Sequence, residues 1–130
     1  MSAFTMDLDR FGVKTIEQMD MVARKIALTA YRRIILKTPV KTGRARGNWQ
    51  CTIGTAAAGT VDDVDPSGAN AVSAIQAQVQ AWKAVSGVSI ILTNNLPYIG
   101  RLEHGSSTQA PAGMVGVTIA ELGGIVQEAS

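Results

Sequence analysis

One apolar stripe constrains this chain more than any other feature. Ile16, Met19, Ala23, Ile26, Ala30 and Ile34 recur at steps of three and four residues, and Ala27 and Tyr31 widen the same face. That period lines up one side of an α-helix but scatters over both faces of a strand, so it predicts a helix over residues 14–37. Thr15 suits the N-cap, with Glu17 and Gln18 close behind, where acceptors favour the first turn. At the other end Lys37 meets the negative pole of the helix dipole, and Pro39 drives Thr38 out of helical geometry. Such a helix is about 35 Å long and exposes its stripe unless other elements cover it. The chain has 130 residues, 46% of them apolar and 17% charged, which is enough for one domain, 1–130, around one core.

The covering elements follow in order. Residues 1–13 read as irregular, with Phe4, Met6, Leu8 and Phe11 as spaced anchors. Pro39, Gly43 and Gly47 mark a turn-rich loop. From Asn48 to Ile53 polar and apolar residues alternate, which puts Trp49, Cys51 and Ile53 on one face of a strand. Residues 54–69 are small, polar and acidic, and predict a long exposed loop that anchors no core. Ser67 then caps a helix over 69–84 with Val72, Ile75, Val79 and Trp82 as its stripe. The β-branched run 88–92 predicts a buried strand. Residues 98–104 predict a short helix closed by Gly105, and 105–113 a loop. Residues 114–129 predict a last helix with Val115, Ile119, Leu122 and Val126 inward, weakened at Gly123-Gly124; a strand over 114–119 is the alternative. The expected class is α+β: a long N-terminal helix and further helices packed on a small antiparallel sheet, with a long exposed loop.

Several chemistries find no support. A lone cysteine excludes an intramolecular disulfide, and one histidine leaves no zinc-ligand cluster. Cys51, His104 and Glu103 are the only residues able to form a nominal thiol triad, yet Cys51 falls on the apolar face of its strand, where cysteine behaves as a small hydrophobe. Asp62, Asp63 and Asp65 lack the remainder of a calcium loop and read as a solvated acidic tip able to reach a basic neighbour. No phosphate-cradling glycine motif is present. The expectation is therefore no catalytic residue, no cofactor and no metal. The chain has no run long enough for a membrane span and begins with an acidic stretch unlike a signal peptide, so synthesis in the cytoplasm of a host cell is expected.

Charge is unevenly spread. Between Met21 and Val61 there are eight basic residues and no acidic one, although the whole chain carries only +2. Arg32, Arg33, Lys37, Lys41, Arg44 and Arg46 are the candidates for contact with DNA phosphates or with an acidic protein surface, without sequence reading.

Two segments resemble a known family. Thr38-Pro-Val-Lys-Thr-Gly-Arg-Ala-Arg-Gly-Asn-Trp49 is similar to the T-P-V-x-T-G-x-x-R-x-x-W stretch of neck and tail-completion proteins of long-tailed bacteriophages. Pro97-Tyr-Ile-Gly-Arg-Leu-Glu-His-Gly-Ser-Ser-Thr-Gln-Ala-Pro-Ala-Gly-Met-Val115 resembles that family's second block, with Ile99 where a small residue is frequent and Asn94-Asn95 just before it. The residues carried over are Pro39, Thr42, Gly43, Arg46 and Trp49, then Pro97, Tyr98, Glu103, Gly105, Ser107, Gln109, Pro111, Gly113 and Met114. The resemblance implies a structural virion protein that forms a homo-oligomeric ring, of six subunits or else twelve, at the head–tail junction. It would sit between the portal–adaptor stack and the tail tube, against adaptor or stopper and tail-terminator proteins, with genomic DNA in the channel. Glu103 is the expected partner of Arg46, within a subunit or across an interface. The alternative is an assembly factor outside the virion, or a non-specific DNA-binding protein that uses the basic segment 24–46.

Overall fold

The computed structural model describes residues 15–129; the anchors expected at Phe4, Met6, Leu8 and Phe11 lie outside them. Helix α1 spans Ile16–Lys37. Thr15 is extended and its hydroxyl accepts from the Gln18 amide at 3.1 Å, which satisfies a first-turn donor that has no partner within the helix. Thr38 is extended, as the following proline requires, and its hydroxyl donates back to the Ile34 carbonyl at 2.8 Å.

α1 is the central element and has two buried flanks. Ala27, Ile34 and Ile35 face a main core with Trp49, Cys51, Ile75, Val79 and Met114. Val22 and Ile26 face a smaller core with Ile125 and Ala129. The main core is closed by helix α3, Ala69–Ala81, and by strands β1, Gln50–Ile53, and β2, Ile90–Thr93. The strands pair antiparallel with Cys51 opposite Leu92. The architecture is α+β, as the pattern of the sequence predicts.

Four local expectations need correction. The run 88–92 is not a buried strand: β2 begins at Ile90 and is half-buried along its whole length, because a two-stranded sheet covers one face only and has two open edges. Residues 44–47 form a single helical turn, α2 (Arg44–Gly47), where an irregular loop was expected. α3 ends at Ala81, not 84. Trp82 is extended there and its indole donates to the Val88 carbonyl at 2.7 Å, and a 3-10 turn at Ala84–Ser86 closes on Gly87.

The fourth correction concerns the end of the chain. After the short helix α4, Ile99–Glu103, come α5, Val115–Ala120, and α6, Leu122–Ala129. Residues 114–119 are therefore not a strand. The interruption falls at Glu121, not at Gly123-Gly124, and Glu121 keeps right-handed helical dihedrals while accepting from the Ile125 amide. The stripe that faces the core is Met114, Thr118, Ile125 and Ala129. Ile119 is 63% exposed and Leu122 40%, with Val115 and Val126 half-buried. Ion pairs to α1 accompany this rotation. Arg33 of α1 contacts Glu121 at 3.3 Å and Glu128 at 3.4 Å, and Lys37 contacts Glu121 and the Thr118 hydroxyl. Turning Ile119 and Leu122 inward would carry both carboxylates away from these cations.

Candidate functional site: a cleft between the two sequence blocks

The segments 38–49 and 97–115 are far apart in sequence and lie side by side in the fold. Their junction is an open cleft of about 410 Å³, lined by Leu36, Lys37, Thr38, Pro39, Arg46, Gln109, Ala110, Pro111, Ala112, Gly113 and Val117. Polar side chains that grip backbone build its walls.

Arg46 is the main clamp of the first block. Its guanidinium donates to the carbonyls of Leu36 at 2.8 Å, Thr38 at 2.9 Å and Pro66 at 2.9 Å. The last turn of α1 leaves carbonyls without helical partners, and the planar fork of arginine satisfies two neighbouring ones together. The Thr38 side chain is fully buried and accepts from the Trp49 indole at 2.8 Å while donating to Ile34. Trp49 is thereby held in the main core, and Pro39 is itself buried. The Thr42 hydroxyl accepts from the Arg44 amide at 3.3 Å and starts the α2 turn.

Glu103 is the clamp of the second block. Its carboxylate accepts from the amides of Met114 at 3.0 Å, Val115 at 2.9 Å and Gly116 at 2.9 Å, all three at the start of α5. Partial burial pushes the carboxyl upward, but the bonds from Gly116, Val115 and Met114, aided by His104, outweigh it and hold Glu103 below the usual carboxylate range. The expected Glu103–Arg46 pair does not form within the subunit. Each side chain satisfies backbone groups instead, which removes the need for a counter-charge. The glycines between them have a definite task. Gly105 and Gly113 both have positive φ, and a Cβ on them would run into the carbonyl oxygens of Pro111 and Glu103 respectively.

Gln109 joins the blocks. Its Oε1 accepts from the Val40 amide at 2.9 Å and its Nε2 donates to the Val40 carbonyl at 3.0 Å, so one primary amide imitates a pairing strand. Ser107 supports it by accepting from the Gln109 amide at 3.2 Å. Tyr98 is half-buried where α4 starts, Pro97 is exposed beside it, and Met114 is fully buried in the main core.

The basic candidates divide into two sets. Arg33, Lys37 and Arg46 are engaged by the carboxylates and carbonyls just described. Arg32, Lys41 and Arg44 are exposed, and their side chains meet no partner among the described residues. The acidic tip divides as well. Asp62 is exposed and Asp63 half-buried, but Asp65 is only 4% exposed. Its carboxylate accepts from the Ala71 amide at 3.0 Å and its own amide donates to the Gly43 carbonyl at 3.0 Å. Asp65 thus caps α3, the role expected of Ser67, and is not available to a basic neighbour as the acidic tip was expected to be. The Ser67 hydroxyl accepts from the Ala69 amide instead.

Sequence reasoning passed over several residues. Asn48 is fully buried, donates to the Arg44 carbonyl and accepts from the Val61 amide. Asn94 donates to the Ala45 carbonyl, and Asn95 to those of Ala57 and Gly59. The loop 54–62 is mostly exposed, as expected, yet it is pinned from below by these amides. Paired asparagines bordering a turn were the available signal, since their short amides commonly satisfy nearby backbone. Cys51 is buried, and burial pushes its thiol up to about 11, so it is protonated at neutral pH. His104 is exposed, with Nδ1 2.7 Å from the Gly100 carbonyl. Among the described residues no group of side chains could hold a metal ion, and no helix is long and apolar enough to cross a membrane.

Comparison with protein-family models, curated proteins and solved structures finds no match to this chain.

Proposed function

We propose that this chain is a structural subunit of the neck of a long-tailed bacteriophage. It forms a homo-oligomeric ring, of six copies or twelve, that joins the portal–adaptor stack to the tail tube without catalytic turnover. The observation that carries this reading is the meeting of the two sequence blocks in one cleft. The carried-over residues Arg46, Glu103, Gly105, Gln109 and Gly113 act on backbone and shape that cleft. A surface built by so many shape-fixing side chains suits rigid recognition of a protein neighbour. Adaptor, stopper or tail-terminator proteins are the partners proposed for it. The exposed Arg32, Lys41 and Arg44 are left for DNA phosphates in the channel or for acidic side chains of an adjoining ring.

Cryo-electron microscopy of purified virions, with symmetry applied at the head–tail junction, tests the reading. A ring of density that fits this chain is expected, together with stoichiometric amounts in mass spectra of the particles. Removing the protein should leave filled heads and separate tails. Normal infectious particles lacking the chain would overturn the proposal. The three exposed cations would then favour an assembly factor outside the virion that contacts nucleic acid without sequence preference.

A further inference from the structure

Toward the start of α1 the molecule carries a second concavity, away from the cleft. It is an open groove of about 430 Å³ between α1 and the end of α3. Its apolar residues are Met21, Leu28 and Val79, of which Val79 is buried, Leu28 half-buried and Met21 54% exposed. Its cations are Arg24, Lys25 and Lys83. Arg24 donates through Nε to the Trp82 carbonyl at 3.0 Å. Lys25 and Lys83 are exposed and meet no acid among the described residues. Two acids also line the groove. Asp20 is already engaged, buried and accepting from the Val85 amide at 3.2 Å. Glu17 is exposed at the mouth, in the first turn of α1.

We propose that this groove seats the chain's own residues 4–11, folded back along α1. Residues 1–14 lie outside the described residues and join α1 at Thr15, beside the mouth. The groove follows α1 from Glu17 to Leu28, about 16 Å of helix. The stretch from Phe4 to Phe11 reaches about 26 Å when extended, so it is long enough to line the whole groove. Gly12 falls where the chain must reverse, a place that needs backbone freedom. The two partners also match in order. Counting back from the reversal, Arg10 comes opposite Glu17 at the mouth, and Asp9 and Asp7 follow opposite Lys25 and Lys83. Between and beyond those carboxylates, Leu8, Met6 and Phe4 supply apolar side chains to cover Met21, Leu28 and Val79. Complementary charge fixes the register, and apolar burial supplies most of the affinity. The tether favours this occupant over a free peptide, because it holds the segment at an effective concentration on the order of millimolar. The inference does not rest on the neck reading.

Cysteine pairing in the full chain gives the test. Cys51 is buried and leaves little thiol background. Leu8→Cys is combined in turn with Met21→Cys and with Gln80→Cys, one on each wall of the groove, and with Arg101→Cys on α4 as a control; all three partner positions are exposed. A disulfide requires Cα atoms within about 7 Å, so under mild oxidation both groove pairs should close within one chain roughly tenfold faster than the control. Non-reducing gels read this as monomer bands of raised mobility. Lys25→Glu with Lys83→Glu should slow closure about fivefold, and adding Asp7→Lys with Asp9→Lys should restore it. Helical circular dichroism should be the same for all variants. Disulfides that join two chains instead would overturn the inference in favour of segments exchanged between copies. Groove pairs no faster than the control, or a rate indifferent to charge reversal, would overturn it outright. None of these readouts involves virions, so the neck reading stands or falls separately.

Discussion

The cleft between the two blocks and the last helix pair make opposite use of their sequences. The blocks are rich in glycine, proline and small polar residues, a composition that suggests loose loops. In the fold they are held by Arg46, Glu103, Gln109 and Thr38, whose side chains bond backbone groups that no regular element would satisfy. The helix pair has a clean apolar period, the strongest kind of local signal. In the fold two of the four residues of that period, Ile119 and Leu122, are exposed. Regular patterning and local rigidity are thus separate properties. Irregular backbone is rigid where side chains replace the missing ladder, and a periodic stripe specifies burial without specifying which molecule provides it.

Substitutions can sharpen that contrast. The largest effect is expected at Gly113, where Gly113→Val would force a branched side chain into positive φ against the Glu103 carbonyl. A loss of about 4 kcal/mol or more is expected by urea unfolding. Arg46→Met removes three bonds to carbonyls and should cost about 3 kcal/mol in the same assay. Arg46→Lys should recover little, because an ammonium cannot bridge the same fork.

Glu103→Ala should cost about 2 kcal/mol by uncovering three helix-start amides. This residue also predicts an acid response. Its folded-state pKa is lowered, so its contribution is fully present above the unfolded value of about 4.3 and is lost as pH falls through the lower folded value. Glu103→Gln should flatten the acid limb of a stability–pH curve. An unchanged limb would mean that other carboxylates dominate it.

The smallest effects on folding are expected on the helix face. Ile119→Glu should change unfolding free energy by no more than about 0.5 kcal/mol, since the side chain is mainly in solvent. The same size is expected for Lys41→Gln and Arg44→Gln, measured by thermal denaturation. If Ile119→Glu were strongly destabilising in a monomeric sample, the outward face would be part of the subunit core after all.

Much of the fold was legible for physical reasons. The span of α1 could be read end to end because its period, cap and proline stop agree, although its face was read less well: Ile16 is exposed, while Val22 and Ile35, outside the expected stripe, are buried. The existence of β1 and α3 followed from alternation and periodicity. The boundaries of α3 were less legible, because its start is capped by Asp65 from across a turn and not by the neighbouring hydroxyl. The rotation of α5 and α6 was not legible at all. It goes with contacts to another helix, the packing of Ile125 on Val22 and Ile26 and the pairing of Glu121 with Arg33 and Lys37, tertiary facts that no local window contains. Arg46 and Glu103 were identified as important, but as each other's partner. Charge alone cannot distinguish a salt bridge from two side chains that each serve the main chain.

The Gln109 clamp on Val40 has a consequence for biogenesis. It joins positions 69 residues apart, and the Glu103 clamp beside it needs the amides of residues 114–116. A nascent chain emerging from the ribosome therefore cannot close this cleft until residue 116 has been translated, although α1 is complete long before. Any partner that recognised the cleft would therefore bind only chains that extend through residue 116, and copies truncated before it would be passed over.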